Sequence, residues 1–420
     1  MTSWFERARF GMFIHWDHAS QRGLEISWPL VGGVGNLPRG QEVSAADYDA
    51  TADSFDPRPG SARAWLDLAR AAGMGYAVFT AKHHSGFAMY PTRLSDFSIA
   101  RSPYAGDLVG EFVEAARERD LRVGLYFSLS DWHHPDYPAW TDADRPYSFA
   151  GNRRASPECW ERYLEFMHGQ VRELLTDYGR IDLIWFDGGW ERSSGEWRAQ
   201  ELHDLVRSLQ PEILINDRLP GFGDFDTPEQ LVPAQPPGRR WETCLTMNES
   251  WAYNPSDGHY KSARDLVHAL CETTGRGGNL LLNVGPRGDG SLAPEQVERL
   301  EAIARWMDGY AEGIRETEPG LEPWQLYGPS TRNGERVFLH LLLRPYETVT
   351  LRGVPIRRVA GARELRSGTA LEFETRCAAV DRLFNPDPLC EVAIRVPERL
   401  LDPLATVIEV ELAPAALERT

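Results

Sequence analysis

The sequence predicts an α/β fold, namely a (β/α)8-like, TIM-type barrel of regular or irregular closure, followed by a small antiparallel β-sandwich. The first observation is that short apolar runs alternate with segments of helical period through residues 1–318, as in parallel sheets with helical crossovers. The second is that the hydrophobic period changes to two after a stretch rich in Pro and Gly, residues 314–330. That period is typical of half-buried antiparallel strands. We therefore predict two domains, residues 1–318 and 319–420.

The predicted barrel strands are short runs of aromatic and branched apolar residues, which is typical of strands buried on both faces. Six runs are clear, and a seventh is expected around "RRWETCLTM". The six begin near Phe10, Tyr76, Arg122, Ile181, Glu212 and Gly278. No eighth run is evident, so the sequence leaves eightfold closure open.

The segments between these runs have the period of amphipathic helices. The clearest extends from Ser156 to Gly179, where Ser156 and Pro157 are start signals and Gly179 is a stop signal. An open doubly wound sheet would show the same alternation, but the first strand is not followed by the GxGxxG of a dinucleotide-binding sheet. Polar residues follow nearly every strand instead, which favours the barrel.

Composition and charge argue against several classes of partner. The formal charge of -17 is spread along the chain without a basic cluster, so we expect no nucleic-acid partner. No stretch reaches the roughly 18 apolar residues that a membrane span requires. The five cysteines form no CxxC pair and are expected to be reduced, buried thiols. With a charged N-terminal segment, these features predict a cytoplasmic protein, either monomeric or a homo-oligomer.

Side chains at the carboxyl ends of barrel strands carry the chemistry of such folds. In this sequence those positions hold carboxylates, imidazoles and tryptophans, without an evident phosphate-binding loop. Tryptophans of this kind suit a flat, partly hydroxylated ligand as well as a core. The candidates include His15, Asp17, Trp28, Lys82, His83, His84, Tyr126, Asp187, Trp190, Arg218, Glu242 and Trp251.

One apolar run, "LIWFDGGW", ends at a single carboxylate, Asp187. Retaining glycoside hydrolysis needs a rigidly held carboxylate as its nucleophile, and the end of a strand holds a side chain more firmly than a loop does. Asp187 could equally be the N-cap of a helix that begins after "GGW". Its spacing alone leaves both interpretations open.

The same mechanism requires a second carboxyl group, about 5 to 5.5 Å from the first, that acts as acid and then as base. Four glutamates are candidates by position, namely Glu191, Glu229, Glu242 and Glu272. Glu229 also fits a helix start, because it follows Thr227 and Pro228. Position in the sequence does not choose among the four.

The adjacent histidines His83 and His84 raise the alternative of a metal-dependent hydrolase. Consecutive residues of a strand point to opposite sides, so we expect the pair not to reach one ion unless the backbone turns between them. No HxH follows a strand. We therefore predict no metal and no cofactor, and expect the two imidazoles to bond separate hydroxyl groups of a ligand.

Eight short motifs occur in order along residues 4–318. Four lie at predicted strands: "FGMFIHWD" at Phe10, "AKHHSGF" at Ala81, "GLYFSLSDW" at Gly124 and "IWFDGGW" at Ile184. Four follow: "INDR" at Ile215, "WET" at Trp241, "SWAYN" at Ser250 and "GGNLLLNVGPRGDG" at Gly277. Together they resemble the α-L-fucosidases of glycoside hydrolase family 29.

This resemblance implies a retaining exo-α-L-fucosidase that releases terminal fucosyl residues from fucosylated oligosaccharides or glycoconjugates through a covalent fucosyl-enzyme. By motif, Asp187 is implied to be the nucleophile and Glu229, in "DFDTPEQ", the general acid/base. The remaining implied roles are hydroxyl binding by His15, His83, His84 and Tyr126, a place near the carboxylates for Arg218, enclosure of the C6 methyl group by Trp185 and Trp251, and closure of the pocket by Trp28.

Three residues depart from the pattern of the family that the chain resembles. Asp17 replaces a usual glycine, Ser85 a usual aspartate, and Ser27 a glutamate that often precedes the tryptophan of the first loop. Losing a carboxylate that accepts a sugar hydroxyl would weaken binding by about 1.5 to 3 kcal/mol unless Asp17 or Glu25 replaced it. Action on an α-L-galactoside, and sugar binding without catalysis, therefore stay open as alternatives.

Overall fold

The computed structural model describes residues 4–31, 43–104, 106–139 and 153–414, and the larger part of the chain is built on a curled parallel sheet. Its strands are β1 (Phe10–Ile14), β2 (Tyr76–Lys82), β3 (Arg122–Ser128), β4 (Leu183–Asp187), β5 (Leu214–Ile215), β6 (Glu242–Thr246) and β7 (Asn279–Val284). Their order across the sheet is β5-β4-β3-β2-β1-β7-β6. Every neighbouring pair is parallel, which confirms the predicted barrel-like α/β architecture.

The two edge strands, β5 and β6, are connected through the segment of chain between them. Its bridges are parallel and join Asn216 to Phe225, Asp226 to Trp241, and Glu229 to Cys244. Along β6, the N–H of Glu242 donates to the carbonyl of Asp226 at 2.9 Å. Residues 225–229 thus lie between the two edges of the sheet, on the side where a regular barrel would have another strand.

The parallel strands are accompanied by helices α1 (Trp4–Ala8), α2 (Ala45–Asp49), α3 (Ser61–Ala71), α4 (Leu108–Arg117), α5 (Pro157–Asp177), α6 (Ala199–Leu209), α7 (Ala263–Gly275) and α8 (Pro294–Tyr310). The predicted signals of α5 are confirmed: the Ser156 hydroxyl accepts the N–H of Cys159 at 3.2 Å, and Gly179 has a positive φ of 68°. Among the described helices, none combines the length and apolarity needed to cross a bilayer.

The parallel strands are buried on both faces, as predicted. All five residues of β1 and all six of β7 are buried. Successive side chains of a strand point to opposite faces, so Met12 and Ile14 belong to the large core that includes helical residues. Phe13 belongs instead to a smaller cluster inside the curl of the sheet, with Tyr126 and Trp185. This inner cluster forms the floor on which the site is built.

The C-terminal part of the chain has two antiparallel sheets with their own core. One sheet contains β8 (Glu318–Pro319), β9 (Ser330–Asn333), β10 (Arg336–Leu341), β12 (Val359–Glu364) and β15 (Thr406–Leu412). The other contains β11 (Thr348–Pro355), β13 (Phe373–Arg376) and β14 (Leu389–Arg395), and a short helix, α9 (Ala379–Phe384), lies between the last two. Leu339, Leu351 and Ile394 come from both sheets and share one cluster, as the period of two predicted.

The prediction of five reduced thiols is wrong for two of them. Cys377 and Cys390 form a disulfide with a Cα to Cα distance of 5.2 Å, whereas Cys159, Cys244 and Cys271 are free. Cys377 follows β13 and Cys390 lies in its antiparallel neighbour β14. Strand pairing therefore brings together two thiols that are 13 residues apart, which their spacing in the sequence does not reveal.

Candidate active site

A cavity of about 810 Å³ opens where the parallel strands end. It is lined by all ten residues that the motifs implied, namely His15, Trp28, His83, His84, Tyr126, Trp185, Asp187, Arg218, Glu229 and Trp251. They come from six different strands or the loops that follow them. Parallel strands present their carboxyl ends at one edge of the sheet, so residues distant in sequence converge there.

Asp187 is the last residue of β4, and its carboxylate is held from two sides. The Tyr126 hydroxyl donates to Oδ2 at 2.8 Å, and Nη1 of Arg218 donates to Oδ1 at 3.3 Å. The helical turn after it begins with Gly188 as its cap and without a side-chain capping bond. The interpretation of Asp187 as a helix cap is therefore wrong, and its side chain faces the cavity.

Burial raises the pKa of Asp187, while the Arg218 guanidinium and the Tyr126 hydroxyl act in the opposite direction. Burial would lower the pKa of Arg218, but the two carboxylates of Asp187 and Glu229 outweigh it and hold that pKa above its ordinary value. The guanidinium is therefore a fixed positive charge beside Asp187. It favours the ionised carboxylate that a nucleophile requires.

Glu229 is joined to Asp187 through the same guanidinium. Nη2 of Arg218 donates to Glu229 Oε2 at 2.8 Å, and its Nε donates to the Thr227 hydroxyl at 3.0 Å. The backbone of Glu229 forms a parallel bridge with Cys244 and is not helical, so the helix-start interpretation is wrong. Two carboxylates thus share one arginine at the wall of the cavity.

The other three candidate glutamates do not line the cavity. Glu242 is fully buried behind Trp185, whose indole N–H donates to it at 3.1 Å, and burial raises its pKa to about 7. Glu191 accepts the indole N–H of Trp132 at 3.1 Å. Glu272 pairs with Arg276, at the end of α7. Of the four candidate glutamates, Glu229 is the one that lines the cavity together with Asp187.

Three histidines line the cavity, and each has its Nδ1 bonded to a side chain beside it. The partners are Asn283 for His15 at 2.7 Å, Ser27 for His83 at 2.7 Å and Ser128 for His84 at 2.6 Å. Burial lowers the pKa of His15 and His84 to about 3 and that of His83 well below its usual value. All three imidazoles are therefore neutral, and Nε2 is the ring nitrogen left for a ligand.

His83 and His84 are the exception that the sequence allowed, because the backbone turns at the pair. Strand β2 ends at Lys82, so the pair lies in the turn beyond it and its ring centroids are 4.1 Å apart. Ligand atoms of His83, His84 and Asp187 all lie within 4.8 Å of one another. These three groups could hold a cation, although the Arg218 charge on the same carboxylate opposes one.

Aromatic rings complete one side of the cavity, which we call the inner wall. It comprises the three histidines together with Tyr126, Trp185, Trp251 and Trp28. Tyr126 and Trp185 are stacked with centroids 5.6 Å apart and an interplanar angle of 17°. Trp251 lies 4.8 Å from His15, and Trp28 lies 5.4 Å from His84. This wall therefore offers apolar faces beside hydrogen-bonding nitrogens, a combination that suits a small ligand with both apolar and polar groups.

Sequence reasoning did not assign a role to several other residues that line the cavity. They are Phe13, Trp190, Gln230, Cys244, Thr246, Asn248, Glu249 and Lys261. The period of two on β6 was a usable signal, because Cys244 and Thr246 alternate with residues that face the other side. Asn248 and Lys261 lie in an irregular connection, where no periodicity reveals which side chains point inward.

The three departures from the family pattern form one contiguous cluster beneath the cavity. The Ser85 hydroxyl donates to Asp17 Oδ2 at 3.3 Å, and the N–H of Ser85 donates to the Ser27 hydroxyl at 2.7 Å. Asp17 and Glu25 are each 2% exposed and neither lines the cavity. Neither therefore supplies the carboxylate that position 27 lacks.

The family model for alpha-L-fucosidase matches residues 1–312. The chain belongs to the α-L-fucosidase family. It is thus a member of a family of glycoside hydrolases, and the resemblance of its eight motifs is confirmed.

Individual relatives agree with this family assignment along most of the chain. The tissue alpha-L-fucosidase of Homo sapiens is 31% identical over 352 residues, which are 77% of this chain and 71% of that protein. The structure of alpha-L-fucosidase isoenzyme 1 from Paenibacillus thiaminolyticus is 35% identical, covers 98% of both chains and has a TM-score of 0.84. The Thermotoga maritima alpha-fucosidase in complex with a mechanism based inhibitor is 28% identical, covers 97% of this chain and 96% of that one, and has a TM-score of 0.76.

Proposed function

We propose that this member of the α-L-fucosidase family is a retaining exo-α-L-fucosidase that hydrolyses terminal fucosyl residues of glycans. The observation that carries the proposal is the single Arg218 guanidinium that bonds both Asp187 and Glu229 at the wall of the cavity. Retaining hydrolysis needs two carboxyl groups close together, one as nucleophile and one as acid/base. The parallel bridges of residues 225–229 support an eight-membered barrel as the scaffold that holds them.

Asp187 is the nucleophile and Glu229 the acid/base in this mechanism. An oxygen of Asp187 forms a bond to the anomeric carbon, while the bond to the leaving oxygen breaks and Glu229 gives that oxygen its proton. Water then attacks the same carbon, Glu229 takes a proton from it, and the bond to Asp187 breaks. Arg218 and Tyr126 hold the Asp187 carboxylate in place in both steps.

The inner wall supports a fucosyl group as the ligand. Neutral Nε2 atoms of the three histidines meet hydroxyl groups, and the faces of Trp185 and Trp251 enclose the methyl group, with Trp28 at the loop side. Polar residues from the connections that line the cavity, which include Gln230 and Lys261, meet the leaving group. A closely related α-L-galactoside differs by a hydroxymethyl in place of the methyl, so the two tryptophans decide between them.

A 2-deoxy-2-fluoro-fucosyl fluoride tests the proposal, because the fluorine slows hydrolysis of the covalent intermediate. We expect the intact mass to rise by one fluorofucosyl group, and peptide mapping to place that group on Asp187. An Asp187→Asn variant should gain no mass and should lose on the order of 10⁴ or more in rate. An unlabelled wild-type protein that still binds L-fucose would favour sugar binding without catalysis. Equal rates of hydrolysis of p-nitrophenyl α-L-galactoside and of the corresponding fucoside would contradict the proposal that the cavity selects its substrate by the methyl group.

A further inference from the structure

Two neighbouring histidines of the cavity have hydrogen-bond partners of different kinds. Nδ1 of His15 lies 2.7 Å from the amide oxygen of Asn283, and the amide nitrogen of Asn283 donates to the carbonyl of Trp251 at 2.6 Å. An amide oxygen has no hydrogen to give, so Nδ1 of His15 is the donor. A neutral imidazole carries one N–H, and therefore Nε2 of His15 presents a lone pair to the cavity.

His83 faces a hydroxyl group instead of an amide oxygen. The Ser27 hydroxyl lies 2.7 Å from Nδ1 of His83 and accepts the N–H of Ser85 at 2.7 Å. Ser27 is fully buried, and among the described residues Nδ1 of His83 is the one acceptor within reach of its hydroxyl hydrogen. A buried hydroxyl hydrogen without an acceptor is costly. The hydrogen therefore points to Nδ1, and His83 carries its own hydrogen on Nε2.

We propose that Ser27 fixes His83 as a hydrogen-bond donor toward the cavity, whereas Asn283 fixes the adjacent His15 as an acceptor. The two rings have centroids 5.6 Å apart, and both line the cavity. A sugar hydroxyl both donates and accepts, so a wall with one donor and one acceptor binds free hydroxyl groups. It disfavours analogues in which a hydroxyl group that contacts these two rings is replaced by hydrogen, O-methyl or fluorine. Ser27 is thus a positioning residue that sets specificity through His83.

This arrangement explains what changes when a serine, instead of a carboxylate, occupies position 27. A carboxylate there would offer acceptors alone, and would hold the hydrogen of His83 on Nδ1. Both histidines would then present lone pairs to the cavity, and the carboxylate of residue 27 would be a further acceptor. With serine at position 27, Nε2 of His83 is a hydrogen-bond donor instead of an acceptor. Ser27 has a positive φ of 60°, a conformation that Asp tolerates better than most residues, so Ser27→Asp is a suitable probe.

NMR of protein labelled with ¹⁵N in its histidines tests the assignment in the free protein, with signals assigned through His15→Gln and His83→Gln. We expect the Nε2–H form of His83 and the Nδ1–H form of His15. Ser27→Asp should convert His83 to the Nδ1–H form. The control is Tyr48→Phe, which removes the hydroxyl that accepts the Ser27 N–H at 2.7 Å but leaves the Ser27 hydroxyl in place, and it should not change the tautomer. A wild-type His83 with its hydrogen on Nδ1 would overturn the proposal.

Inhibition by L-fucose measures the consequence for binding, and this part rests on the proposed function. We expect Ser27→Asp to raise the inhibition constant about tenfold, the equivalent of 1.4 kcal/mol, and Tyr48→Phe to leave it unchanged. Equal inhibition constants for all three proteins would contradict a role for Ser27 in specificity. The failures of the two proposals can be told apart. The tautomer of His83 is measured by NMR in the free protein, whereas the proposed function is tested by the mass of the fluorofucosyl adduct.

Discussion

The cavity has two walls of opposite character. On the inner wall, His15, His83 and Trp185 are 4% exposed or less, and each polar group is bonded to a residue behind it. On the outer wall, the Glu229 side chain is 38% exposed, Glu249 is exposed and Lys261 is half-buried. A wall whose side chains are fixed from behind can select one sugar. A wall that is open to solvent imposes fewer constraints on the leaving group.

The difference follows from the elements that build each wall. Strand ends and the residues directly after them supply most of the inner wall, to which loops add Trp28 and Trp251. The strands are held on both sides by their neighbours. The outer wall comes from connections, chiefly residues 229–230 and 246–249 together with Lys261, of which Thr246 alone belongs to a parallel strand. We therefore expect changes to the inner wall to alter sugar recognition and stability, and changes to the outer wall to depend on the leaving group.

The largest effect that tests this contrast is expected from Glu229→Gln on the outer wall. General acid catalysis contributes roughly 10² to 10⁴ in rate, and it matters most when the leaving group is poor. We expect kcat to fall by that factor with a fucosyl oligosaccharide and far less with an activated aryl fucoside, measured as released fucose. Glu249→Gln is the matched control, since Glu249 lines the same wall without a bond to Arg218. Equal losses in the two variants would refute the assignment of Glu229.

A smaller effect is expected from Glu242→Gln behind the inner wall. Burial raises the pKa of Glu242 to about 7 from 4.5, so the folded protein binds the proton more tightly than the unfolded one. The stability from this group is complete below pH 4.5 and is lost as pH rises through about 7. We expect wild type to lose about 1–3 kcal/mol of unfolding free energy over that window through this group, and the variant to lose less.

Urea denaturation at several values of pH from 4.5 to 8 measures this difference. Glu25 is the internal comparison, because burial also raises its pKa to about 7 while its carboxylate accepts the N–H groups of Trp251 and Ala252. Glu25→Gln should reduce the pH dependence in the same direction, and the double variant should reduce it further. An unchanged slope in Glu242→Gln would show that this group is solvated in the folded state.

The sequence was sufficient for the barrel-like architecture, which depends on local periodicity, and the rule that strand ends converge identified most members of the inner wall. Trp185 was implied only by the resemblance of "IWFDGGW" to a family motif. The sequence was insufficient where a long-range contact decides the outcome. The bridges of Glu229 to Cys244 and the pairing of Cys377 with Cys390 join segments that are remote in sequence. The orientation of His83 and His84 was left conditional, because the end of β2 could not be placed to within one residue. The contact of Ser27 with His83 depends on a loop conformation that no periodicity encodes.

The smallest effect is expected from removal of metal ions, and it tests the inner wall most directly. His83, His84 and Asp187 could together hold a cation, but Arg218 donates to the same Asp187 carboxylate at 3.3 Å. A divalent ion at this place would be repelled by the guanidinium and would compete with it for the carboxylate. We therefore expect fucoside hydrolysis to be unchanged after exhaustive dialysis against a chelator. Loss of activity that zinc restores, with metal content rising to one ion per chain, would instead identify a metal-dependent hydrolase whose inner wall binds an ion in place of sugar hydroxyls.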